Sequence, residues 1–234
     1  MQQNSDTTIT PTFTTSDSNT APAVTSGFPA DIFTEPAVID PNTLANLGPL
    51  RAMAGIWESD GGSDIHPAAQ GTEENQYVEH MELQPIDPQT NGPQLFYGLR
   101  YYTHVVKPGQ RETFHDQVGY WLWEPATKTV IHMLAIPRAQ VLMAAGTAEP
   151  DSTEFELRAE RGSMTFGICS GPFLDEAFRT SAFTIKVRIN PDGTWSYEED
   201  SVMHISGRPE PFHHTDKTTL KKIGEPTPNP KMRG

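Results

Sequence analysis

The chain has 234 residues, and its 30 acidic and 17 basic side chains give a formal net charge of −13. A chain this acidic is repelled by phosphate backbones and anionic lipid surfaces, so we expect neither nucleic acid nor a membrane as a partner. It contains no run of about 20 apolar residues that could span a bilayer. Its first residues also lack the basic start and apolar stretch of a signal peptide, so we expect a cytoplasmic protein.

The single cysteine excludes an intrachain disulfide and a cysteine-rich metal cluster. Cys169 follows Phe166 and Ile168 in an apolar segment and has no cationic residue beside it in sequence. A small cysteine in such a segment is typical of a protein core, and a reactive thiol is the less favoured alternative. We therefore predict that Cys169 is a core residue.

Composition divides the chain into three parts. Residues 1–40 are rich in Thr, Ser, Asn, Asp and Pro and carry only isolated apolar residues, which predicts a disordered or extended polar tail. A short helix is expected next, because Asp40 and Pro41 precede Leu44 and Leu47 at helical spacing, and Gly48 interrupts it. Residues 41–224 form the predicted domain, and residues 225–234 form a C-terminal tail.

From residue 55 onward, runs of β-branched and aromatic residues alternate with turn residues, which is typical of short antiparallel strands. The predicted strands span residues 55–59, 75–83, 94–106, 114–124, 129–135, 140–147, 153–161, 180–189, 194–205 and 212–223. Closure into a barrel removes exposed sheet edges, so closure is favoured over an open sandwich. The expected fold is all-β, an antiparallel ten-stranded barrel of the calycin type.

Five of the eight histidines are expected to have structural roles. His66 lies in a polar loop rich in glycine, where a solvated turn residue is expected. His80, His104 and His115 lie in or beside amphipathic strands among charged neighbours, which is typical of surface residues. His132 lies within an apolar strand, where a buried core or interface histidine is favoured over a functional site.

The adjacent pair His213 and His214 is the most suggestive, because neighbouring residues of a strand face opposite sides. His214 shares its face with Phe212 and Leu220, which makes this the more apolar face. We therefore expect His214 to point into the barrel and His213 to point outward. No hydrolase motif accompanies the pair, since a Gly-x-Ser-x-Gly turn and a His-Glu-x-x-His helix are both missing from the sequence.

Three blocks of sequence resemble the nitrobindins, a family of heme-binding β-barrels similar to fatty-acid-binding proteins. The first block runs from the Gly-Ile-Trp of residues 55–57 through Pro67 to Tyr77-Val-Glu79. The second runs from residue 114 through the Leu-Ala-Ile-Pro of residues 134–137 to Gly-Thr at residues 146–147. The third is the final hairpin with His213, His214 and Leu220.

This resemblance implies a barrel that holds b-type heme, mostly ferric, through one proximal histidine on the last strand. The proximal ligand maps to His214, with His213 as the alternative, and Asp216 or a backbone group would hold the other ring nitrogen. Met133, Leu134 and Ile136 would form an apolar distal wall. Pro67 is the remaining family position assigned to the cofactor site.

The resemblance also implies binding of nitric oxide and conversion of peroxynitrite to nitrate. The alternative function is a heme-free carrier of a fatty acid or another small apolar ligand. Both a monomer and a homodimer agree with the sequence.

Overall fold

The computed structural model describes residues 31–233, so most of the predicted tail lies outside the described residues. Within that range the helical segments are α1 (Thr43–Asn46), a 3₁₀ helix (Gly48–Met53), α2 (Pro172–Ala177) and a second 3₁₀ helix (Pro230–Met232). The strands are β1 (Gly55–Ala68), β2 (Gly71–Pro85), β3 (Gln89–Asn91), β4 (Gln94–Val106), β5 (Thr113–Glu124), β6 (Thr129–Ile136), β7 (Gln140–Thr147), β8 (Glu154–Arg161), β9 (Gly167–Ser170), β10 (Phe178–Ile189), β11 (Trp195–Ile205) and β12 (Phe212–Gly224).

The strands close into a barrel, as the sequence predicts, and all neighbouring strands are antiparallel except β8 and β9. Eleven strands form the ring in the order β2-β1-β12-β11-β10-β8-β9-β7-β6-β5-β4, and β4 pairs with β2 to close it. The third strand pairs only with the start of β4 and lies outside the ring. The predicted ten-stranded barrel therefore has the right architecture, but the prediction missed β3 and β9. These strands have three and four residues and are too short to show a period-two pattern.

Alternation along the strands puts one set of side chains inside the barrel. In β2, for example, Tyr77, Glu79, Met81 and Leu83 are buried while the residues between them are more exposed. The same pattern holds in β10, where Phe183 and Ile185 are buried. This period-two burial is what a sheet with one face on a core requires.

The first strand is longer than the sequence suggests, because the expected Gly61-Gly62 turn is an irregularity within β1. The β1–β2 register shifts between Ser59 and Gly62 and then continues to the end of the strand. The ring of Tyr77 covers Gly62, and a Cβ atom there would lie 2.0 Å from Tyr77 Cζ. Glycine is required by this close approach, and β1 therefore carries residues 63–68 along the barrel wall.

One end of the barrel is capped by the helical segment that precedes β1. Leu47, Leu50 and Met53 are fully buried there, and Trp57 Nε1 donates a 2.8 Å hydrogen bond to the Met53 carbonyl. The segment after β12, expected as a tail, packs on the same end through the buried side chain of Asn229. None of the helices in the described part of the chain has the length and apolar character that a bilayer crossing requires.

Candidate functional site

The barrel encloses a cavity of about 310 Å³ between the capped end and the opposite end of the strands. Inward side chains of nine strands and of the turn after β6 line it, because each ring strand presents alternate residues to the interior. The lining side chains are Asp64, His66, Glu79, Met81, Tyr101, Thr103, Val105, Phe114, His115, Gln117, Trp121, His132, Leu134, Ile136, Arg138, Gln140, Leu142, Thr180, Phe183, Ile185, Trp195, Tyr197, Glu199, Ser201, Met203, His214 and Asp216. The lining combines an apolar wall, a histidine cluster and an acidic wall.

The histidine cluster lies around Asp64 near the uncapped end. His214 Nε2 is 2.7 Å from Asp64 Oδ1, and His66 Nδ1 is 2.6 Å from Asp64 Oδ2. Burial alone would raise the pKa of Asp64, but the hydrogen bonds and charges of His214 and His66 outweigh it and hold that pKa below its ordinary value. Asp64 thereby fixes the orientation of both imidazole rings.

The acidic wall is a consequence of strand register. Asp216 on β12 is the cross-strand partner of Asp64 on β1 and of Glu199 on β11, so three inward carboxylates lie side by side. Like charges directly opposite each other in a sheet repel. Burial, followed by the charges of the neighbouring carboxylates, raises the pKa of Glu199 well above its ordinary value, and burial raises that of Asp216 as well.

Glu79 lies next to this row and is almost completely buried, with 1% of its surface exposed. Its carboxyl group accepts hydrogen bonds from the hydroxyls of Thr103 at 2.6 Å and Tyr197 at 2.9 Å. Burial raises the pKa of Glu79 from 4.5 to about 7, although both hydrogen bonds oppose the increase. Glu79 therefore binds a proton at a higher pH than an exposed glutamate does.

Deeper in the cavity, His132 is stacked on Trp121, with ring centroids 3.8 Å apart and ring planes inclined by 10°. His132 Nε2 is 2.9 Å from the Tyr101 hydroxyl, which accepts a 2.6 Å hydrogen bond from Gln117 Nε2. Because the Gln117 amide donates to the Tyr101 oxygen, we assign the Tyr101 hydroxyl as donor to His132. Burial lowers the pKa of His132 to about 3, so the ring is neutral.

The structure separates the residues that the sequence assigned to the cofactor site. His214, Leu134 and Ile136 line the cavity. His213 instead lies on the outer face, where its Nδ1 is 2.8 Å from Asp200 Oδ2. Met133 is also directed outward, because it alternates with the two inward residues of β6, and it lines a groove on the outer surface of the barrel.

Pro67 is placed near the end of β1, opposite Thr72 of β2, and is not among the residues that line the cavity. Asp216, the expected partner of the proximal histidine, accepts a hydrogen bond from the Tyr77 hydroxyl. The hydrogen-bond partner of His214 is instead Asp64. The contact between His214 and Asp64 could be found only from the pairing of β1 with β12, since the two residues are 150 positions apart in sequence.

Three expectations for individual residues are wrong. His66 is part of β1 rather than of a turn, because the strand continues past its glycines, and it lines the cavity. His115 also lines the cavity, and burial lowers its pKa. Cys169 is exposed, because β9 directs its neighbour Ile168 toward the core and Cys169 to the outer surface. The surface positions of His80 and His104 and the burial of His132 agree with expectation.

Of the acidic lining residues, the sequence pointed only to Asp216, as a partner of the proximal histidine. Glu79 was noted only as part of a Tyr-x-Glu motif, and Glu199 and Asp64 were not singled out. A signal for Glu79 was present, because it alternates with Tyr77 and Met81 and so shares the inward face of its strand. No comparable signal existed for the row of carboxylates, which depends on the register between strands.

Comparison with known proteins agrees with this architecture. Residues 46–222 match the model of the THAP4-like, heme-binding β-barrel domain. The crystal structure of Rv2717c from M. tuberculosis has a similar fold, with a TM-score of 0.53 and 21% sequence identity over 77% of this chain and 96% of that one. No curated protein sequence matches the chain. The family match covers most of the chain, including the whole barrel except its last residues, and the chain belongs to the THAP4-like heme-binding β-barrel domains, the nitrobindin family that its motifs resemble.

Proposed function

We propose that the protein binds ferric b-type heme at the uncapped end of the barrel, with His214 as the proximal ligand, and that the heme binds nitric oxide. The observation that carries this proposal is the position of His214. It is the inward-facing histidine of the last strand, and it lies at the cavity beside an apolar wall. Membership of a heme-binding family supports the same cofactor.

The residues present fit a heme. A neutral imidazole is a common proximal ligand, and its second nitrogen is usually held by a carboxylate or a carbonyl. His214 has such a carboxylate partner, because Asp64 holds Nε2, and the structure of residues 31–233 gives Nδ1 no hydrogen-bond partner. About a third of the His214 side chain is exposed, so the ring is accessible from the cavity mouth.

The apolar side of the cavity supplies the surface that a porphyrin ring requires. Leu134 and Ile136 of β6 form this side together with Phe183 and Leu142. Burial of such side chains against a flat apolar ligand is favourable, at about 25 cal/mol per Å² of apolar surface removed from water. These residues would exclude water from the ligand side and leave few hydrogen-bond donors for a bound dioxygen.

When bound, ferric heme supplies an iron with an open coordination position for a small ligand. The charge of the cavity wall favours an uncharged ligand, since Asp64, Glu79, Glu199 and Asp216 all line it. Nitric oxide meets this condition. We also propose that the heme-loaded protein converts peroxynitrite to nitrate. The acidic wall favours entry of the neutral conjugate acid over the anion, and the isomerisation of that acid gives nitrate and one proton without a co-reactant.

The second candidate is a heme-free carrier of a small apolar ligand, which the apolar side of the cavity also favours. A fatty-acid anion is disfavoured, because its carboxylate would meet the row formed by Asp64, Asp216 and Glu199. A neutral apolar molecule remains compatible with the lining.

A hemin titration followed by visible absorption distinguishes the two candidates. We expect a Soret band that saturates at one equivalent of hemin and shifts when nitric oxide is added. A spectrum that shows only free hemin would reject heme binding and favour the carrier. The isomerase activity is tested separately by the rate of peroxynitrite decay and the nitrate yield, and a rate equal to that of the heme-free protein would reject it.

A further inference from the structure

Three side chains that line the cavity carry buried nitrogen atoms without hydrogen-bond partners. The atoms are Trp121 Nε1, His132 Nδ1 and Trp195 Nε1, and no atom of residues 31–233 forms a hydrogen bond with them. All three side chains line the cavity, and each residue is at most 2% exposed. Bulk water therefore does not satisfy these nitrogens.

Each of the three nitrogens is a hydrogen-bond donor. An indole nitrogen donates and does not accept. Burial lowers the pKa of His132 to about 3, so its ring is neutral and one of its two nitrogens carries a hydrogen. Because the Gln117 amide donates to the Tyr101 oxygen, the Tyr101 hydroxyl donates to His132 Nε2, and the hydrogen of the ring is on Nδ1.

The missing partners are concentrated at this cavity. Buried donors without a partner are rare, because an N–H group that leaves water needs a replacement for its hydrogen bond. Of the four buried side-chain atoms without a partner in the described part of the chain, only Thr218 Oγ1 belongs to a residue outside the cavity lining. Trp57, which is also outside the lining, donates from Nε1 to the Met53 carbonyl at 2.8 Å. The three free donors therefore point to a ligand inside the cavity.

The donors lie on two sides of the cavity. Trp121 on β5 and His132 on β6 are cross-strand partners, and their stacked rings have centroids 3.8 Å apart. Their N–H groups belong to one patch of the wall. Trp195 is on β11, which lies on the opposite side of the ring of strands.

A group that only accepts hydrogen bonds complements this lining. A carbonyl oxygen accepts two hydrogen bonds and brings no donor of its own, whereas water or an alcohol brings hydrogens that need further acceptors. A carboxylate is disfavoured, because hydrogen bonds and charges from His214 and His66 hold the pKa of Asp64 low and keep a negative charge in the lining. The matching ligand is therefore neutral.

We propose that the cavity binds a neutral carbonyl compound with a compact apolar body, such as an aryl ketone, whose oxygen accepts hydrogen bonds from Trp121 and His132. Met81 and Ile185 line the same cavity and cover the apolar body. The N–H group of Trp195, on the opposite wall, is available to a second acceptor oxygen of a larger ligand. This site goes beyond heme binding and does not depend on it, because its donors are separate from His214.

The first test follows the indole N–H signals by nuclear magnetic resonance on the full chain without added hemin. Acetophenone and α-methylstyrene are the probes, because they share one shape and differ by a carbonyl oxygen. We expect acetophenone to shift the Trp121 N–H proton downfield relative to α-methylstyrene, and the Trp57 signal to stay the same with both, since its N–H group is already bonded. Equal Trp121 shifts with the two probes would overturn the proposal, as would signals that show exchange with ordered water only.

A matched pair of variants tests the donor. Trp121→Phe removes the indole N–H group at the cavity, and Trp123→Phe makes the same change on the same strand outside the cavity lining. By calorimetry, we expect Trp121→Phe to weaken acetophenone binding about tenfold more than α-methylstyrene binding, and Trp123→Phe to affect both probes equally. A folded Trp121→Phe protein that loses affinity for both probes equally would contradict the assignment. If that variant does not fold, the signals of the wild-type chain still decide.

Discussion

The buried carboxyl group of Glu79 makes the stability of the barrel depend on pH. In the folded protein, burial raises its pKa from the ordinary value of 4.5 to about 7. The folded state therefore holds this proton more tightly than the unfolded state does. The resulting stabilisation is fully present below pH 4.5 and is lost as the pH rises through 7.

The size of the effect follows from the two pKa values of Glu79. One pKa unit corresponds to about 1.36 kcal/mol, so the full difference between 4.5 and about 7 corresponds to about 3 kcal/mol. Between pH 5 and pH 8, the linkage relation gives a loss of about 2.5 kcal/mol in the free energy of unfolding from this group alone. Glu79→Gln removes the titrating group and keeps the shape of the side chain. The free energy of unfolding of this variant therefore lacks the decrease that Glu79 causes between pH 5 and pH 8.

The assay is urea unfolding at pH 5 and pH 8, followed by tryptophan fluorescence. We expect the free energy of unfolding to fall between the two pH values by about 2.5 kcal/mol more in the wild type than in Glu79→Gln. Glu82→Gln, on the outer face of the same strand, is the control and should fall as the wild type does. The reasoning is refuted if Glu79→Gln loses as much stability as the wild type, since Glu199 and Asp216 titrate in both proteins.

Two further predictions test the packing of the barrel. Gly119→Ala is expected to lower the free energy of unfolding by about 2 kcal/mol or more, because the added Cβ atom would lie 1.8 Å from the Met133 carbonyl oxygen. Gly61→Ala, whose Cβ atom meets nothing within 4 Å, is its control, and equal costs in the two variants would contradict the β5–β6 pairing. Trp123→Ala is expected to cost about 3–5 kcal/mol in urea unfolding, because this side chain is 2% exposed at the capped end. A cost below about 1 kcal/mol would mean that the cap does not pack as described.

Much of the barrel could be predicted because the residue pattern that indicates each strand lies within that strand. Each long strand alternates inward and outward residues, so the alternation also gave the orientation of His214 on β12. The capping helix followed from the spacing of Leu44 and Leu47. These features depend on neighbours a few residues apart, where sequence patterns are informative.

The errors arose where distant parts of the chain decide the outcome. His66 was assigned to a turn because Gly61-Gly62 is typical of one, but Tyr77 fills the space above Gly62 and the strand continues. The row formed by Asp64, Asp216 and Glu199 depends on the register of three strands. A shift of one residue in either pairing would place these carboxylates on the outer surface, and no local pattern fixes the register between β1 and β12.

The adjacent histidines of β12 allow the most direct test of the heme site. Hemin is titrated into the wild type, His214→Ala and His213→Ala, and the Soret band is recorded with circular dichroism as a check of folding. We expect His214→Ala to lose the band of the bound heme and His213→Ala to keep it, since His214 lines the cavity and His213 pairs with Asp200 on the outer face. A band that persists in His214→Ala, or that is lost in His213→Ala alone, would contradict the assignment of His214 as the proximal ligand.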